Sequence, residues 1–254
     1  MLCKSLTLTL SRRERDPKAG EGAGSLTTVL ALDTATGINS VAVLREQTIL
    51  AETVANCQRL HSERLLETIR WTLREADFAL AEIDLFAVST GPGSFTGLRI
   101  GAATAKGLAY AAGKPLVAVP TLDALAATFP LHNATVCVMI DARMREVYGA
   151  VYRYTDGVRE TLAASSVGPL EQLLEPLQGE VYFLGDAVAA NRDKILAHLP
   201  KANLVPERAG IPRASAVAAE GLQLARQGAP TDAALLAPVY LRQSQAEIAR
   251  AARA

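Results

Sequence analysis

Hydrophobic residues occur along the chain in short runs between polar turns, and these runs alternate with longer amphipathic segments. In the first half the apolar runs predict five strands, at residues 28–32, 40–44, 48–54, 85–88 and 115–119. Helical periodicity predicts helices at Ser62–Ala76 and Thr96–Ala112. Strands that alternate with helices of this length indicate an α/β fold with a mixed sheet.

The same order of elements starts again near Thr135. Further strands are predicted at 136–140, 146–154 and 181–184, and further helices at 170–177, 188–199 and 214–227. In each half the first strand ends in an aspartate, Asp33 or Asp141. This duplication predicts two similar lobes facing a cleft. We expect a disordered extension of residues 1–26, an N-terminal lobe of residues 27–130 and a C-terminal lobe of residues 131–254. Either lobe could take up the C-terminal segment.

Composition narrows the classes of function. The 254 residues are 50% hydrophobic and 20% charged, and 26 basic side chains balance 26 acidic ones. A nucleic-acid binder acting alone would usually carry an excess of positive charge. The three cysteines are far apart and form no C-x-x-C pair, which is typical of a protein of the reducing cytoplasm. No apolar run reaches the length of roughly 18 residues that a membrane helix needs.

The most distinctive motif is the string STGPGSFTGLR at 89–99, between a predicted strand and a predicted helix. Glycines let the backbone approach a neighbour closely, and the free N–H groups at a helix start can receive an anion. The spacing differs from that of a Walker A loop. Two interpretations therefore stand: a tight structural turn, or an anion or ligand site that includes Gly91 and Gly93.

Two predicted helices have features of an interaction surface. The helix after this motif carries small residues four positions apart, among them Gly97, Gly101 and Ala105. Such a ridge lets another helix approach closely, either within the fold or across an interface. In the earlier helix Leu65 lies on the apolar arc, whereas Trp71 projects from the polar side, as aromatic residues at protein interfaces do. These five residues form the predicted partner interface; coverage of Trp71 by the same chain is the alternative.

A second candidate site follows from the two strand-ending aspartates. Asp33 and Asp141 occupy the usual place of ligand-facing residues in open α/β sheets, where carboxylates could hold Mg²⁺ on a nucleotide. The turn after Asp33, which includes Thr36, is small enough for phosphates, but the turn after Asp141 is bulky and lacks glycine. The triplet His61-Ser62-Glu63 is interpreted as a helix cap, because Ser62 suits the N-cap and Glu63 suits the helix dipole. The sequence contains no zinc-binding histidine motif.

These strings together resemble the signatures of the TsaB family. They are LALDTAT at 30–36, HSE at 61–63, GPGSFTGLRIG at 91–101 and PVYLR at 238–242. The resemblance spans roughly residues 27–243, and the glycine-rich string is highly specific. It implies the duplicated actin-like (ribonuclease H-like) two-lobe fold with mixed central sheets, which agrees with the repeat.

The resemblance also implies which chemistry is missing. The catalytic paralogue TsaD binds a metal through two histidines four residues apart, and Thr121 and Leu125 stand at the matching positions here. The double-glycine adenosine turn of TsaD is matched by Gly185 and Asp186, whose charge would hinder a nucleotide. We therefore expect no catalytic residue, no metal and no cofactor. At most we expect a weak nucleotide or anion cleft, formed by Asp33, Thr36, Gly91, Gly93, Asp141 and Gly185.

The implied function is that of a non-catalytic subunit. Such a subunit pairs with a TsaD-like catalytic subunit through helices 62–76 and 96–112, and the pair recruits a TsaE-like ATPase. The complex forms threonylcarbamoyladenosine at position 37 of tRNAs that read codons beginning with A, so this chain would reach tRNA indirectly. A homodimer is expected when the chain is alone. The alternatives are an actin-fold ATPase or small-molecule kinase using Asp33 and Asp141, and a metallopeptidase, for which no zinc ligand set is present.

Overall fold

The computed structural model describes residues 26–56, 61–129, 132–229 and 232–242, and at 61–63 it describes the backbone alone. The predicted extension before Leu26 and the predicted capping by Ser62 lie outside these described residues and side chains. Within the described part, every helix is too short or too polar to cross a membrane.

The first half of the chain forms a five-stranded sheet with helices packed on it. Its strands are β1 (Thr28–Asp33), β2 (Ile38–Arg45), β3 (Thr48–Asn56), β4 (Leu85–Ser89) and β5 (Leu116–Val119). Its helices α1 (His61–Glu75) and α2 (Phe95–Ala112) pack on this sheet, whereas α3 (Thr121–Ala127) packs against the second half of the chain. The strand order is β3-β2-β1-β4-β5, in which β1 pairs antiparallel with β2 and parallel with β4.

The second half repeats this arrangement. Its strands are β6 (Ala134–Arg143), β7 (Glu146–Thr155), β8 (Val158–Pro169), β9 (Val181–Leu184) and β10 (Asn203–Leu204). Its helices are α4 (Leu170–Leu174), α5 (Ala187–Ala190), α6 (Arg192–His198) and α7 (Ala214–Arg226). The strand order β10-β9-β6-β7-β8 is the order of the first sheet, since β6 pairs antiparallel with β7 and parallel with β9. The predicted duplicated actin-like α/β fold is confirmed.

Two strands and one α-helix were missed by the sequence pattern, one predicted helix is divided in two, and the helix predicted at 170–177 ends at Leu174. Strand β8 lies at a sheet edge and is mostly exposed, so its apolar alternation is weak. Helix α3 has seven residues and β10 has two, which is too short for periodicity to be detected. The helix predicted at 188–199 is divided at Asn191 into α5 and α6.

Helix α7 packs against the first sheet rather than the second. Its apolar face joins the core cluster of β1, β4 and β5, where Val217 and Leu222 lie beside residues such as Val29. Gly221 is needed there, because a Cβ would lie 2.7 Å from the Cβ of Ala87. Leu236, in the C-terminal segment, also belongs to a hydrophobic core cluster of the first sheet. The predicted boundary, which assigned all of 131–254 to the second lobe, therefore needs correction at its C-terminal end.

Candidate functional site

A cleft of about 350 Å³ lies between the ends of the two central strands, β1 and β6. The first sheet contributes the turn 35–37 and the loop 92–95, and the second contributes residues 140–143, Tyr148 and Asp186. Residues 239–242 line the same cleft. The two strand ends therefore meet at one cavity, as the duplicated sequence predicts.

The C-terminal residues 236–242, here called the C-terminal strap, are anchored to the first lobe. Leu236 is buried in the core of that lobe. The Val239 N–H donates to the carbonyl oxygen of Thr90 over 2.7 Å. The Tyr240 ring packs on Phe95 with ring centroids 4.7 Å apart.

The strap then reaches the second lobe through its last described residue, Arg242. The guanidinium donates to the carbonyl oxygen of Ala142 over 3.1 Å and lies 3.0 Å from the Glu146 carboxylate. The strap thus connects the two lobes across the cleft, and it fixes their separation at this edge.

The glycine-rich loop acts as a tight packing turn. A Cβ at Gly91, where φ is +121°, would overlap the carbonyl oxygen of Val239 in the strap, and a Cβ at Gly93 would overlap that of Ala35. The Gly91 N–H donates to Thr121 Oγ1 over 3.0 Å. Of the two interpretations from sequence, the geometry favours the structural turn, because this backbone is committed to contacts within the chain.

Asp33 does not reach the cleft. Its side chain is fully buried, and its Oδ1 accepts the Ala35 N–H over 3.1 Å. Burial raises the pKa of Asp33 to about 6, although the nearby Ser89 hydroxyl and the Ala35 N–H lower it. Asp33 Oδ2 and Ser89 Oγ are both buried without a hydrogen-bond partner in the described structure. The predicted ligand-facing role of Asp33 is therefore corrected to a buried position below the cleft.

Asp141 does line the cleft, together with Asp186 and Arg143. The Asp141 N–H donates to Asp186 Oδ1 over 2.9 Å, and the Asp141 carboxylate lies 3.2 Å from the Arg143 guanidinium. Burial raises the pKa of Asp186; the Asp141 N–H opposes this rise, and the negative charge of Asp141 adds to it. The carboxylates of Asp141 and Asp186 add negative charge to this edge of the cleft, and Arg143 and Arg242 add positive charge beside them.

Three of the six residues predicted for a nucleotide or anion cleft line it: Thr36, Gly93 and Asp141. Asp33, Gly91 and Gly185 lie underneath, and a Cβ at Gly185 would overlap the carbonyl oxygen of Met139. The strap residues were not predicted to line the cleft, although the string PVYLR at 238–242 is one of the family signatures. Nucleotide or anion binding here stays a prediction.

The five residues of the predicted partner interface differ in exposure. Leu65, Gly97, Gly101 and Ala105 are all buried within the chain. Gly97 and Gly101 face the turn after β1, where a Cβ would overlap the carbonyl oxygen or the hydroxyl of Thr34. The ridge therefore serves packing inside the fold, and these four side chains cannot contact a partner. Trp71 is 53% exposed.

A second row of small residues lies on the opposite, exposed side of α2. It consists of Ala103, Gly107 and Ala111, again four positions apart. A Cβ at Gly107 would have no atom within 4 Å. Tyr110 lies beside this row and is 88% exposed, and Leu66 on α1 is 52% exposed. We call this surface, with Trp71, the α1–α2 face.

Comparison with known proteins gives consistent matches. The family model described as "TsaD: tRNA N6-adenosine threonylcarbamoyltransferase" matches residues 48–250. The tRNA threonylcarbamoyladenosine biosynthesis protein TsaB of Bacillus subtilis is 32% identical over 224 residues, which are 87% of this chain and 96% of that protein. The Escherichia coli protein of the same name is 34% identical over 227 residues, which are 86% of this chain and 96% of that protein. The solved structure of YeaZ from Pseudomonas aeruginosa superposes with a TM-score of 0.73 at 31% identity, covering 85% of this chain and all of that one.

Proposed function

Because this chain belongs to the TsaB family of tRNA threonylcarbamoyladenosine biosynthesis proteins, we propose that it is a non-catalytic subunit supporting a TsaD-like catalytic paralogue. The complex forms threonylcarbamoyladenosine at position 37 of tRNAs that read codons beginning with A. A TsaE-like ATPase joins the pair, and tRNA is reached through the complex. The chain acts in the cytoplasm and forms a homodimer when alone.

The absence of catalysis is supported by the two positions that match the metal ligands of TsaD. Thr121 Oγ1 accepts the Gly91 N–H, and Leu125 is fully buried in a hydrophobic core cluster. Neither residue has an imidazole, and the side chains of both are engaged in contacts within the chain. The alternative of an actin-fold ATPase or kinase is not favoured, because Asp33 is buried and Asp141 is joined by the Asp186 carboxylate.

One observation carries the pairing role: Gly107 is exposed in the middle of α2, and a Cβ there would meet no atom of the described residues within 4 Å. Glycine inside a helix costs about 1 kcal/mol relative to alanine, and no close contact with the described residues requires it. Small residues at Ala103 and Ala111 extend the flat strip along the helix. Such a strip lets a helix of another protein approach closely, which supports the α1–α2 face as the surface that pairs with the catalytic subunit.

The test is threonylcarbamoylation of tRNA by a reconstituted mixture. It contains the cognate TsaD-like and TsaE-like proteins, the synthetase that makes the threonylcarbamoyl adenylate, ATP and tRNA. We expect modification to require this chain. We expect Gly107→Leu to lower the rate and the affinity for the catalytic subunit at least about tenfold, since a large side chain keeps the helices apart.

Two controls separate pairing from folding. Gly107→Ala adds one methyl group in open space and raises helix propensity, so the isolated chain becomes more stable by about 1 kcal/mol. Ala197→Leu places the same large side chain on an exposed position of α6 in the second lobe and leaves activity unchanged. Full modification without the chain contradicts the proposed function. Full modification with Gly107→Leu contradicts the proposed surface.

A further inference from the structure

The charged side chains exposed on α1 and α2 are mostly basic. Four arginines and two glutamates are exposed there among the described side chains: Arg64, Arg70, Arg74, Arg99, Glu67 and Glu75. The described exposed side chains of the two helices therefore sum to a charge of +2, whereas the whole chain has a net charge of zero. Exposed basic side chains thus outnumber acidic ones on the surface proposed for pairing.

Two of these arginines make no ion pair or ring contact with the described residues. Arg74 stacks on Trp71 at 4.1 Å and lies 3.6 Å from Glu75, and Arg99 stacks on Phe95. The guanidinium groups of Arg64 and Arg70 contact no acidic or aromatic partner in the described part of the chain. They are free to meet charges on another molecule.

We propose that the α1–α2 face selects an acidic protein partner over a second copy of this chain, an inference that rests on the proposed pairing role. Two copies that met through this face would oppose like charges, which disfavours the wrong partner. A partner helix rich in aspartate and glutamate would be attracted. The homodimer and the heterodimer would then differ by electrostatics, although both use the same apolar strip.

The shape of the face favours a protein over RNA as the occupant. Ala103, Gly107 and Ala111 form a flat strip that suits helix packing, and Leu66 adds an exposed aliphatic side chain. RNA recognition would instead combine basic residues with aromatic rings on which bases stack. The two exposed rings of the face, Trp71 and Tyr110, lie on different helices, and Arg74 already covers one side of Trp71.

The two kinds of pairing should respond to salt in opposite directions. Salt screens exposed charges over a Debye length of about 10 Å at 0.1 M. Between about 50 and about 500 mM NaCl, we expect the dissociation constant of the heterodimer to rise about fivefold or more. The dissociation constant of the homodimer should fall over the same range. Analytical ultracentrifugation of the full chain, with and without the cognate TsaD-like subunit, measures both.

A charge-neutralising variant isolates the two free arginines. Arg64→Gln with Arg70→Gln removes two positive charges from the face, so we expect the homodimer to tighten at low salt. The heterodimer should weaken about three- to tenfold at low salt and lose most of its salt dependence. The matched control is Arg153→Gln with Arg192→Gln, two exposed arginines of the second lobe. It changes the total charge equally and should leave both constants unchanged.

The outcomes are distinguishable. Salt responses of the same sign for both dimers, or equal effects of the two double variants, overturn the charge selection. Heterodimer formation without any salt dependence overturns this inference but leaves the proposed function intact. No heterodimer at either salt concentration contradicts the proposed function itself. If the isolated chain binds tRNA and Arg64→Gln with Arg70→Gln weakens only that binding, the face is an RNA surface and the inference is wrong.

Discussion

Asp33 illustrates how burial can oppose the charge of a single residue. The carboxyl group ends β1 below the cleft with no exposed surface, and its pKa is raised to about 6, first by burial. Only Oδ1 has a hydrogen bond, from Ala35. The folded state therefore holds an ionised Asp33 at neutral pH at a cost in stability.

The sign of this cost gives a pH prediction for Asp33→Asn. With a pKa of about 6 in the folded state and 3.8 in the unfolded state, the cost is absent below pH 3.8 and complete above pH 6. We expect the variant to be more stable than the wild type by up to about 3 kcal/mol at pH 8. The difference should shrink as pH falls toward 4. Urea unfolding at several pH values measures it, and a difference that does not vary with pH would contradict the assigned pKa.

Helix α7 shows how an element can be capped by residues far away in the chain. Arg213, at its N-cap position, makes no capping hydrogen bond with its side chain. Instead, the Ala214 N–H donates to Ser40 Oγ over 2.9 Å and the Ser215 N–H donates to Glu52 Oε1 over 3.0 Å. Glu52 also pairs with Arg213. Sheet residues of β2 and β3 thus satisfy the free N–H groups at the helix start, which holds α7 on the first lobe.

Neutralising Glu52 should therefore loosen α7. Burial alone would raise the pKa of Glu52, but the Arg213 side chain and the Ser215 N–H bring it below its usual value. We expect Glu52→Gln to destabilise the protein by about 1–2 kcal/mol at pH 7, because a carboxylate at a helix N-terminus is replaced by a neutral amide. This loss should fade as pH falls below the usual pKa of 4.5.

The control for this variant is Glu46→Gln, which alters an exposed pair with Arg226 at the other end of the same helix. Hydrogen exchange of α7 amides and chemical unfolding measure both variants. A larger effect from Glu46→Gln than from Glu52→Gln would show that the buried cap is not what holds the helix.

In the whole molecule, the two lobes also meet at a second junction, which involves strands β7 and β8. Arg159 of β8 makes two hydrogen bonds to Glu220 of α7, one of 2.6 Å, and donates to the carbonyl oxygen of Asp123 in α3 over 2.8 Å. The Tyr152 hydroxyl donates to the Asp123 carboxylate over 2.5 Å. The Arg159–Glu220 pair thereby joins the second sheet to α7, which packs on the first sheet, and α3 contacts both α7 and the second sheet. The lobes are therefore joined at two separate places.

Breaking this junction should cost more than breaking a surface pair. Glu220→Gln leaves the Arg159 charge without its carboxylate, and only 22% of that side chain is exposed. We expect a loss of about 2 kcal/mol, less than for a fully buried pair because some solvent remains. Glu171→Gln, which breaks the exposed pair with Lys194, is the matched control and should have a small effect. Denaturant unfolding followed by two probes, one in each lobe, measures both variants; equal losses would contradict the role of the junction.

Much of the fold and part of the candidate site followed from local sequence. The strands around Asp33 and Asp141 and the duplicated order were predicted because a buried strand and an amphipathic helix have characteristic local periods. The small residues of α2 were recognised, and so was the unusual position of Trp71. The pattern could not tell which of two small rows on α2 faces inward, since Gly101 and Gly107 differ only in what lies opposite them.

The sequence by itself determined most of the element types, their duplication and the family to which the chain belongs, because these depend on residues close together in the chain. Only the tertiary structure decided that α7 returns to the first sheet, that Asp33 is buried and that the strap reaches Ala142. Each of these depends on contacts between residues separated by tens to hundreds of positions. Such contacts form when the free energy gained by burial exceeds the cost in chain entropy over the whole molecule. The local hydrophobic periodicity of the sequence carries no information about that difference.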